Sequence, residues 1–257
     1  MSVLAAVMAT HNSEVHLAET LESITGQSRP VDHLIAIDDH STDSTVDILQ
    51  RAGAHIFAAT TQSLDPFTRI AQNFHQGVRS ARKSGANYVI LGDHDDRWHE
   101  NRVEHQAGTL DDKTQAAVLA SDAFLVDEWG VALPGTLRDT FPVPDDFTEW
   151  PQRRQWAYGV RHSLATGGAC ALRVDAVEDW SVPVGWLHDR WWSLRALRHG
   201  ALVIDSTPVI DYRVSVEQQV GLDTADQDRG LRWWSGKAKT GISSAVRARD
   251  LARLMRG

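Results

Sequence analysis

The stretch Tyr88-Val89-Ile90-Leu91-Gly92-Asp93-His94-Asp95-Asp96-Arg97-Trp98 carries an apolar run straight into three carboxylates and an imidazole. The run reads as a buried strand and the polar residues as the loop at its carboxyl end, the edge where open α/β sheets bind ligands. Carboxylates this close repel one another, and a divalent cation among them relieves the repulsion. Mg²⁺ and Mn²⁺ prefer such oxygens, commonly one or two carboxylates with substrate phosphates completing the shell. The same residues would also serve as a solvated acidic cap on the next helix, since Asp is a favoured N-cap. Spacing alone leaves both readings open.

Upstream, residues 3–9 form a continuous apolar strand, Thr10-His11-Asn12-Ser13 the loop after it, and residues 14–25 a helix with Ser13 as its N-cap. A second strand at 33–37 also ends in acid, at Asp38-Asp39-His40-Ser41-Thr42-Asp43. A helix with Val46, Ile48 and Leu49 on its apolar face follows, then a short strand at 54–58. Over 67–84, Ile70, Phe74, Val78 and Ala81 recur at helical spacing, and Asn73 among them either offers its amide to a ligand or sits on the surface. A further helix is expected at 100–110, and strand material at 116–120 and 123–126 with Ser121-Asp122 between. Strands alternating with helices predict an α/β chain with a doubly wound, mostly parallel central sheet flanked by helices.

Downstream the pattern breaks. Residues 133–156 hold four prolines and no sustained period, which predicts a long irregular loop, either a lid over an acceptor or a disordered insertion. Thr166-Gly167-Gly168 would let a ligand approach the backbone, or make a tight turn. Gly185-Trp186-Leu187-His188-Asp189-Arg190-Trp191-Trp192 opens a helix running to about residue 199. An acid in its first turn suits the helix dipole. Aromatic neighbours would also desolvate Asp189 and raise its pKa, as a general base requires. Residues 201–204 and 209–212 read as closing strands around Pro208. The tail, 231–257, carries seven Lys and Arg against one acid, Asp250, with Ile242, Val246, Leu251 and Leu254 as an apolar stripe. Such a basic amphipathic helix suits an anionic membrane surface, a second subunit, or its own domain.

Composition bounds the function. With 257 residues, 42% hydrophobic and 23% charged, the chain is globular and long enough for a sizeable core. A net charge of −8 argues against a general nucleic-acid binder. The single cysteine, Cys170, forms no intrachain disulfide, points to a reducing compartment, and reads as a packing residue. Residues 3–9 are too short for a membrane span and lack a preceding basic region, so a cytoplasmic protein is expected. Ten tryptophans, concentrated after residue 128, supply either aromatic surfaces for sugar rings or a Trp-rich core.

Four segments, in order, resemble motifs of the family 2 glycosyltransferases: Met8-Ala9-Thr10-His11-Asn12-Ser13, where Tyr often stands at His11; Ile37 to Asp43, where Gly often stands at His40; Leu91 to Trp98, continuing into Asn101-Arg102-Val103; and Leu187-His188-Asp189-Arg190-Trp191-Trp192. The resemblance covers most of the chain and implies the GT-A fold, a Rossmann-like nucleotide-diphospho-sugar transferase, over residues 1–230. Residues 1–127 would be the nucleotide-sugar-binding half and 128–230 the acceptor-binding half, with the basic helix of 231–257 appended.

The same resemblance implies that Thr10, His11 and Asn12 line the nucleotide site, while Asp39, with Asp38 beside it, reads the base and ribose. Asp93 and Asp95 would be the DxD pair, with Asp95 the direct ligand of Mn²⁺ or Mg²⁺, and Asp96 an adjacent contact to the donor sugar or ribose. Asp189 would deprotonate the acceptor hydroxyl, and Arg213 would reach the phosphates or make a surface salt bridge. The activity implied is inverting transfer from a nucleotide-diphosphate sugar to a saccharide or lipid-linked acceptor in polysaccharide or glycoconjugate assembly, in the cytoplasm or peripherally at the inner face of the membrane.

The His188-Asp189 pair resembles that of rhamnosyltransferases. One departure is Ser215, where many members carry a His; if that His completes the metal shell, metal binding here is weaker, or His188 or a water takes its place. Two other readings compete. A metal-dependent phosphoesterase or nucleotidyltransferase is disfavoured by the lack of a Gly-rich phosphate loop and of a two-metal His/Asp set. A non-catalytic sugar-nucleotide binder of the same fold would share most of these residues.

Overall fold

Side-chain alternation along the first strand, β1 (Leu4–Thr10), decides the layering of the molecule. The computed structural model describes residues 2–214 and 244–255. Leu4, Ala6 and Met8 face one side, against Leu17, Leu21 and Ile24 of α1 (Leu17–Thr25) and Val103, Ala107 and Leu110 of α4 (Arg102–Asp112). Ala5 and Val7 face the other, against Phe74, Val78 and Ala81 of α3 (Pro66–Lys83) and Trp191, Trp192 and Leu194 of α7 (His188–Arg198). A strand buried on both faces reads as an unbroken apolar run, as this one does.

The strands follow the order β3 (His55–Ala58), β2 (His33–Asp38), β1, β4 (Tyr88–Gly92), β8 (Cys170–Arg173), β6 (Val118–Val126), β9 (Leu202–Arg213) and β5 (Arg97–Trp98), with β7 (Ala132–Thr136) paired to β6. From β3 to β4 every pairing is parallel, as is that of β6 with β9. Strand β8 runs antiparallel to both β4 and β6, so one short strand joins the two halves in a single sheet. The doubly wound pattern therefore holds through the first half, where α2 (Thr45–Arg51) connects β2 to β3, and the sheet becomes mixed beyond it.

Several local expectations change. Helix α1 starts at Leu17 and not near residue 14, and Ser13 is not its cap: His16 occupies the cap position, and the Ser13 hydroxyl accepts the His11 N–H at 3.1 Å. The two segments expected around Ser121-Asp122 are one strand, β6, whose register shifts at Asp122 against β9. The bulge is held by the Asp122 carboxylate, which accepts the N–H groups of Ala123 at 2.8 Å and Arg138 at 3.0 Å. The segments on either side of Pro208 are likewise one strand, β9.

Residues 133–156 are not a long irregular loop. They contain part of β7, then α5 (Leu137–Thr140), nucleated by a capping box between Thr136 and Asp139, a 3-10 turn at Phe147–Glu149, and the start of α6 (Gln152–Arg161), with Pro151 at its N-cap. Phe147 is buried with Leu164 and Leu197 in a satellite core.

The C-terminal helix, α8 (Ser244–Leu254), docks on its own domain, with Leu251 buried and Leu254 packed in the core layer that holds α3 and α7. Of the three uses expected for its apolar stripe, this is the one the structure contains. Ile242, Lys237 and Lys239 lie outside the described residues. Among the described residues no helix is long and apolar enough to cross a membrane. Four tryptophans, Trp180, Trp186, Trp191 and Trp192, are core residues.

Helix α3 approaches β1 closely at Gly77, where a Cβ would lie 2.3 Å from Val7 Cγ1. Gly77→Ala should lower the unfolding free energy in urea by about 1–3 kcal/mol through overpacking. Gly108→Ala in α4, which would meet nothing within 4 Å, should be neutral or stabilising; equal effects at the two sites would contradict this packing.

Candidate active site

The carboxyl ends of β1, β2 and β4 lie side by side because β1 pairs with both neighbours, and register places Thr10 opposite Asp38. Asp38 Oδ1 accepts from the hydroxyls of Thr10 at 3.1 Å and Ser41 at 2.6 Å, and Oδ2 accepts from the Ser41 N–H at 3.1 Å. Thr10 and Asp38 are therefore bonded to each other and shape the two loops. Asn12 and His40 adopt left-handed backbone, φ 48° and 59°, a region where Asn and His are tolerated better than most side chains. Asn12 Oδ1 accepts the Thr42 N–H at 2.8 Å. His11 Nδ1 lies 2.6 Å from the Asp39 carbonyl oxygen. Both His11 and Asn12 are exposed at the rim.

Asp39 Oδ2 accepts from Arg69 Nη2 at 2.6 Å and Nε at 3.0 Å, and from Asn73 Nδ2 at 3.2 Å. Asn73 is thus neither a surface residue nor a free ligand arm but a buried partner of this carboxylate. Arg69, one turn earlier on the same face of α3, is a site residue that the sequence reading did not single out.

Strand β4 ends at Gly92, where a Cβ would lie 2.8 Å from the Trp98 ring. The acidic loop that follows is strapped down on several sides: the Thr20 hydroxyl donates to the His94 carbonyl at 2.9 Å, Ser23 Oγ accepts the Trp98 N–H at 3.0 Å, and Arg213 Nε donates to the Asp95 carbonyl at 2.8 Å. Asp96 is buried; its Oδ1 accepts the Arg213 N–H at 3.0 Å, and its Oδ2 has no hydrogen-bond partner among the described residues. Beneath the loop, Arg102 donates to the Leu91 carbonyl at 2.6 Å and stacks 3.9 Å over the Trp98 ring. Burial lowers its pKa to about 9, opposed by Asp96.

This packing disturbs the carboxylates. Asp93 keeps a solvent-accessible edge, yet burial, then the charges of Asp95 and Asp189, push it up to about 7. Burial and the neighbouring Asp95 and Asp93 hold Asp96 well above the usual carboxylate range.

A third segment closes the site. The short turn Gly167–Ala169 precedes β8, and its two glycines meet two different carboxylates: the Gly167 N–H donates to Asp189 Oδ2 at 3.1 Å, and the Gly168 backbone lies against Asp93, partly offsetting the upward push on that carboxyl. Neither position admits a side chain. A Cβ on Gly167 would lie 2.5 Å from His188 Nε2; on Gly168 it would lie 2.7 Å from Asp96 Oδ2 and 2.8 Å from Asp93 Oδ2. Of the two readings of Thr166-Gly167-Gly168, the structure contains the tight turn, and its backbone lies close against the protein's own carboxylates.

Asp189 stands in the first turn of α7, and its Oδ1 accepts the Arg190 N–H at 2.6 Å. Burial outweighs its hydrogen bonds and raises its pKa to about 6. Its neighbour His188 faces the core, stacked on Phe74 at 4.0 Å, edge-on to Trp192, and held neutral by burial, which pushes its pKa down to about 3. It packs as a ring between α3 and α7, with both ring nitrogens lacking a hydrogen-bond partner among the described residues. Ser215 lies outside the described residues.

The donor set fits a hard divalent cation. A buried carboxylate oxygen without a partner, beside a second carboxylate held partly protonated by crowding, is an arrangement that a bound cation satisfies. Among the described residues no group of three or more His, Cys, Asp or Glu converges as a ready-made cage, consistent with a shell that substrate oxygens complete. Arg213 departs from expectation: it is a buried clamp, with Nη2 on Glu19 Oε2 at 2.8 Å and Nη1 on the Glu128 carbonyl at 2.8 Å. Cys170 is buried, and burial pushes its thiol up to about 12, which leaves it inert.

The sequence matches the model of a family described as Glycosyl transferase family 2 over residues 5–180. It is 31% identical over 127 residues to the putative glycosyltransferase EpsE of Bacillus subtilis (strain 168), an alignment covering 49% of this chain and 44% of that protein. It is 30% identical over 106 residues to the dTDP-rhamnosyl transferase RfbG of Shigella flexneri, covering 40% and 36%. These alignments span less than half the length of either relative. The fold is similar to that of S. aureus TarS in complex with UDP-GlcNAc, with a TM-score of 0.61 at 15% identity over 98% of this chain and 71% of that one. It is also similar to glucosyl-3-phosphoglycerate synthase from Mycobacterium tuberculosis in complex with Mn²⁺, UDP and phosphoglyceric acid, with a TM-score of 0.57 at 18% identity over 94% and 80%. Both are GT-A structures.

The raised pKa of Asp93 fixes a pH dependence. The folded chain holds this proton from the unfolded carboxylate range near 4 up to about 7, so ionising Asp93 makes stability fall as pH rises through that window. Asp93→Asn should therefore be more stable than the parent at pH 8 without metal, by urea titration, with the advantage shrinking at pH 5. An Asn variant no more stable at either pH would contradict the crowding.

Proposed function

The chain belongs to glycosyl transferase family 2, and on that footing we propose that it is a metal-dependent inverting glycosyltransferase using a nucleotide-diphosphate sugar. The observation that carries this reading is the glycine turn at Gly167-Gly168, which bonds Asp189 through the Gly167 N–H and packs against Asp93 and Asp96, so that a base-type carboxylate and the acidic loop meet at one turn.

The roles follow from the environments. Above about pH 6 Asp189 is a carboxylate, and its two N–H bonds orient it without neutralising it, so it can take the proton of an acceptor hydroxyl as that oxygen attacks the anomeric carbon. Attack opposite the leaving diphosphate inverts the anomeric centre in one displacement and needs no enzyme nucleophile. Asp95 and Asp93 would hold Mn²⁺ or Mg²⁺, which when bound supplies positive charge to the leaving diphosphate. Asp39, bonded to Arg69, stands at the edge where His11 and Asn12 are exposed, suited to the base and ribose hydroxyls. Asp96 would contact the donor sugar or ribose. The acceptor class is a saccharide or a lipid-linked saccharide. The names of the relatives, which include a dTDP-rhamnosyl transferase and a putative teichuronic acid biosynthesis glycosyltransferase, support polysaccharide assembly.

Thermal shift with Mn²⁺ against UDP, dTDP and GDP should give metal-dependent stabilisation by one diphosphate; no response to any would sink the proposal. Hydrolysis of the matching sugar nucleotide should rise with pH through about 6 and then level off. Asp189→Asn should cut it by about 10²–10⁴-fold while keeping the stabilisation, and retained turnover would remove Asp189 from the base role.

A further inference from the structure

Exposed apolar side chains gather on one hairpin. Phe124, Trp129, Val131 and Leu133 are 49%, 80%, 61% and 38% exposed, and all lie on β6, β7 or the turn between them. Single exposed apolar residues are ordinary on a surface, but the backbone of this turn is fixed on both sides of Trp129. Asp127 Oδ1 accepts the N–H groups of Trp129 and Val131, each at 2.9 Å, and Gly130, at φ 80°, donates its N–H to the Asp127 carbonyl at 3.0 Å.

The turn is also fastened to the acidic loop. One buried guanidinium, Arg213, donates through Nη1 to the Glu128 carbonyl and through Nε to the Asp95 carbonyl, both at 2.8 Å. Two carbonyls on one planar guanidinium can be no more than a few ångströms apart, and the residue after Glu128 is Trp129. In the sheet, β6 and β7 lie on the far side of β4 from β1 and β2, whose loops form the nucleotide edge. Trp129 therefore stands solvent-facing on a fixed turn beside the acidic loop, on the side away from the nucleotide.

We propose that Trp129 is the stacking platform for a saccharide ring of the acceptor. An indole offers a flat apolar face to the C–H face of a sugar at little cost in side-chain entropy. Asp127 and Glu128 flank it, and two acids beside the ring disfavour insertion into an anionic membrane surface. The inference rests on the glycosyltransferase reading, and its test separates the two.

The full chain labelled with 5-fluorotryptophan, with the Trp129 resonance assigned by its loss in Trp129→Tyr, is titrated with methyl glycosides of glucose, N-acetylglucosamine, galactose and rhamnose, followed by ¹⁹F NMR. One glycoside should shift the Trp129 signal. With that glycoside as acceptor, Trp129→Ala should raise its KM by about tenfold or more, leave donor hydrolysis unchanged, and be largely rescued by Trp129→Tyr. A Trp129 signal that moves with no glycoside, or only with anionic lipid vesicles, overturns the proposal, as does wild-type acceptor KM in Trp129→Ala. If the parent chain hydrolyses no sugar nucleotide, the glycosyltransferase reading has failed, and the glycoside titration still decides whether Trp129 binds a sugar.

Discussion

Two consecutive glycines, Gly167 and Gly168, bring together carboxylates from opposite halves of the molecule: the Gly167 N–H donates to Asp189 at the start of α7, and the Gly168 backbone packs against Asp93 after β4. The rest of the site depends on that tie. Carboxylates gathered in a partly buried space repel, and without fixed donors they would separate or stay protonated. Glycine is required at both positions for a steric reason, since a Cβ at either would overlap His188 or the oxygens of Asp93 and Asp96.

The supporting structure can be read as the means of holding this unfavourable cluster. Arg102 lies beneath it, buried and stacked on Trp98. Arg213 spans it from the side, bonded to Asp95, Glu128 and Glu19. Strand β8, antiparallel between β4 and β6, delivers the glycine turn to the carboxyl end of β4. The tryptophan-rich layer around Trp186 and Trp192 fixes α7, and with it Asp189, against α3. Stability is given up locally at the carboxylates and regained in packing around them, the pattern expected where an environment is arranged for chemistry.

Much of this was legible in the sequence where periodicity meets polarity. The acidic loop after Tyr88–Gly92 and the helix opening at His188 could be placed because an apolar run stops abruptly at ligand-type residues. The α/β class followed from strand and helix alternation in the first half. What stayed hidden depended on long-range contact. Asn73 read as a surface residue because nothing local shows that Asp39, 34 positions earlier, lies against it. Arg213 read as a phosphate arm because the carbonyls it binds come from loops more than 80 residues away in sequence. Residues 133–156 read as a loop because their prolines suggest breaks, whereas Pro151 caps a helix and Thr136 with Asp139 starts another. Ser121-Asp122 read as a gap because a bulge and a strand end carry the same polar signature.

The glycine turn, more than any one acid, assembles the site. The decisive experiment on that dependence is the hydrolysis rate of the sugar-nucleotide donor by Gly168→Ala, with folding checked by circular dichroism. A methyl group placed 2.7–2.8 Å from Asp96 Oδ2 and Asp93 Oδ2 must move those oxygens, so the account predicts a folded chain whose rate falls by about 10²-fold. A folded variant hydrolysing the donor at the parent rate would contradict it.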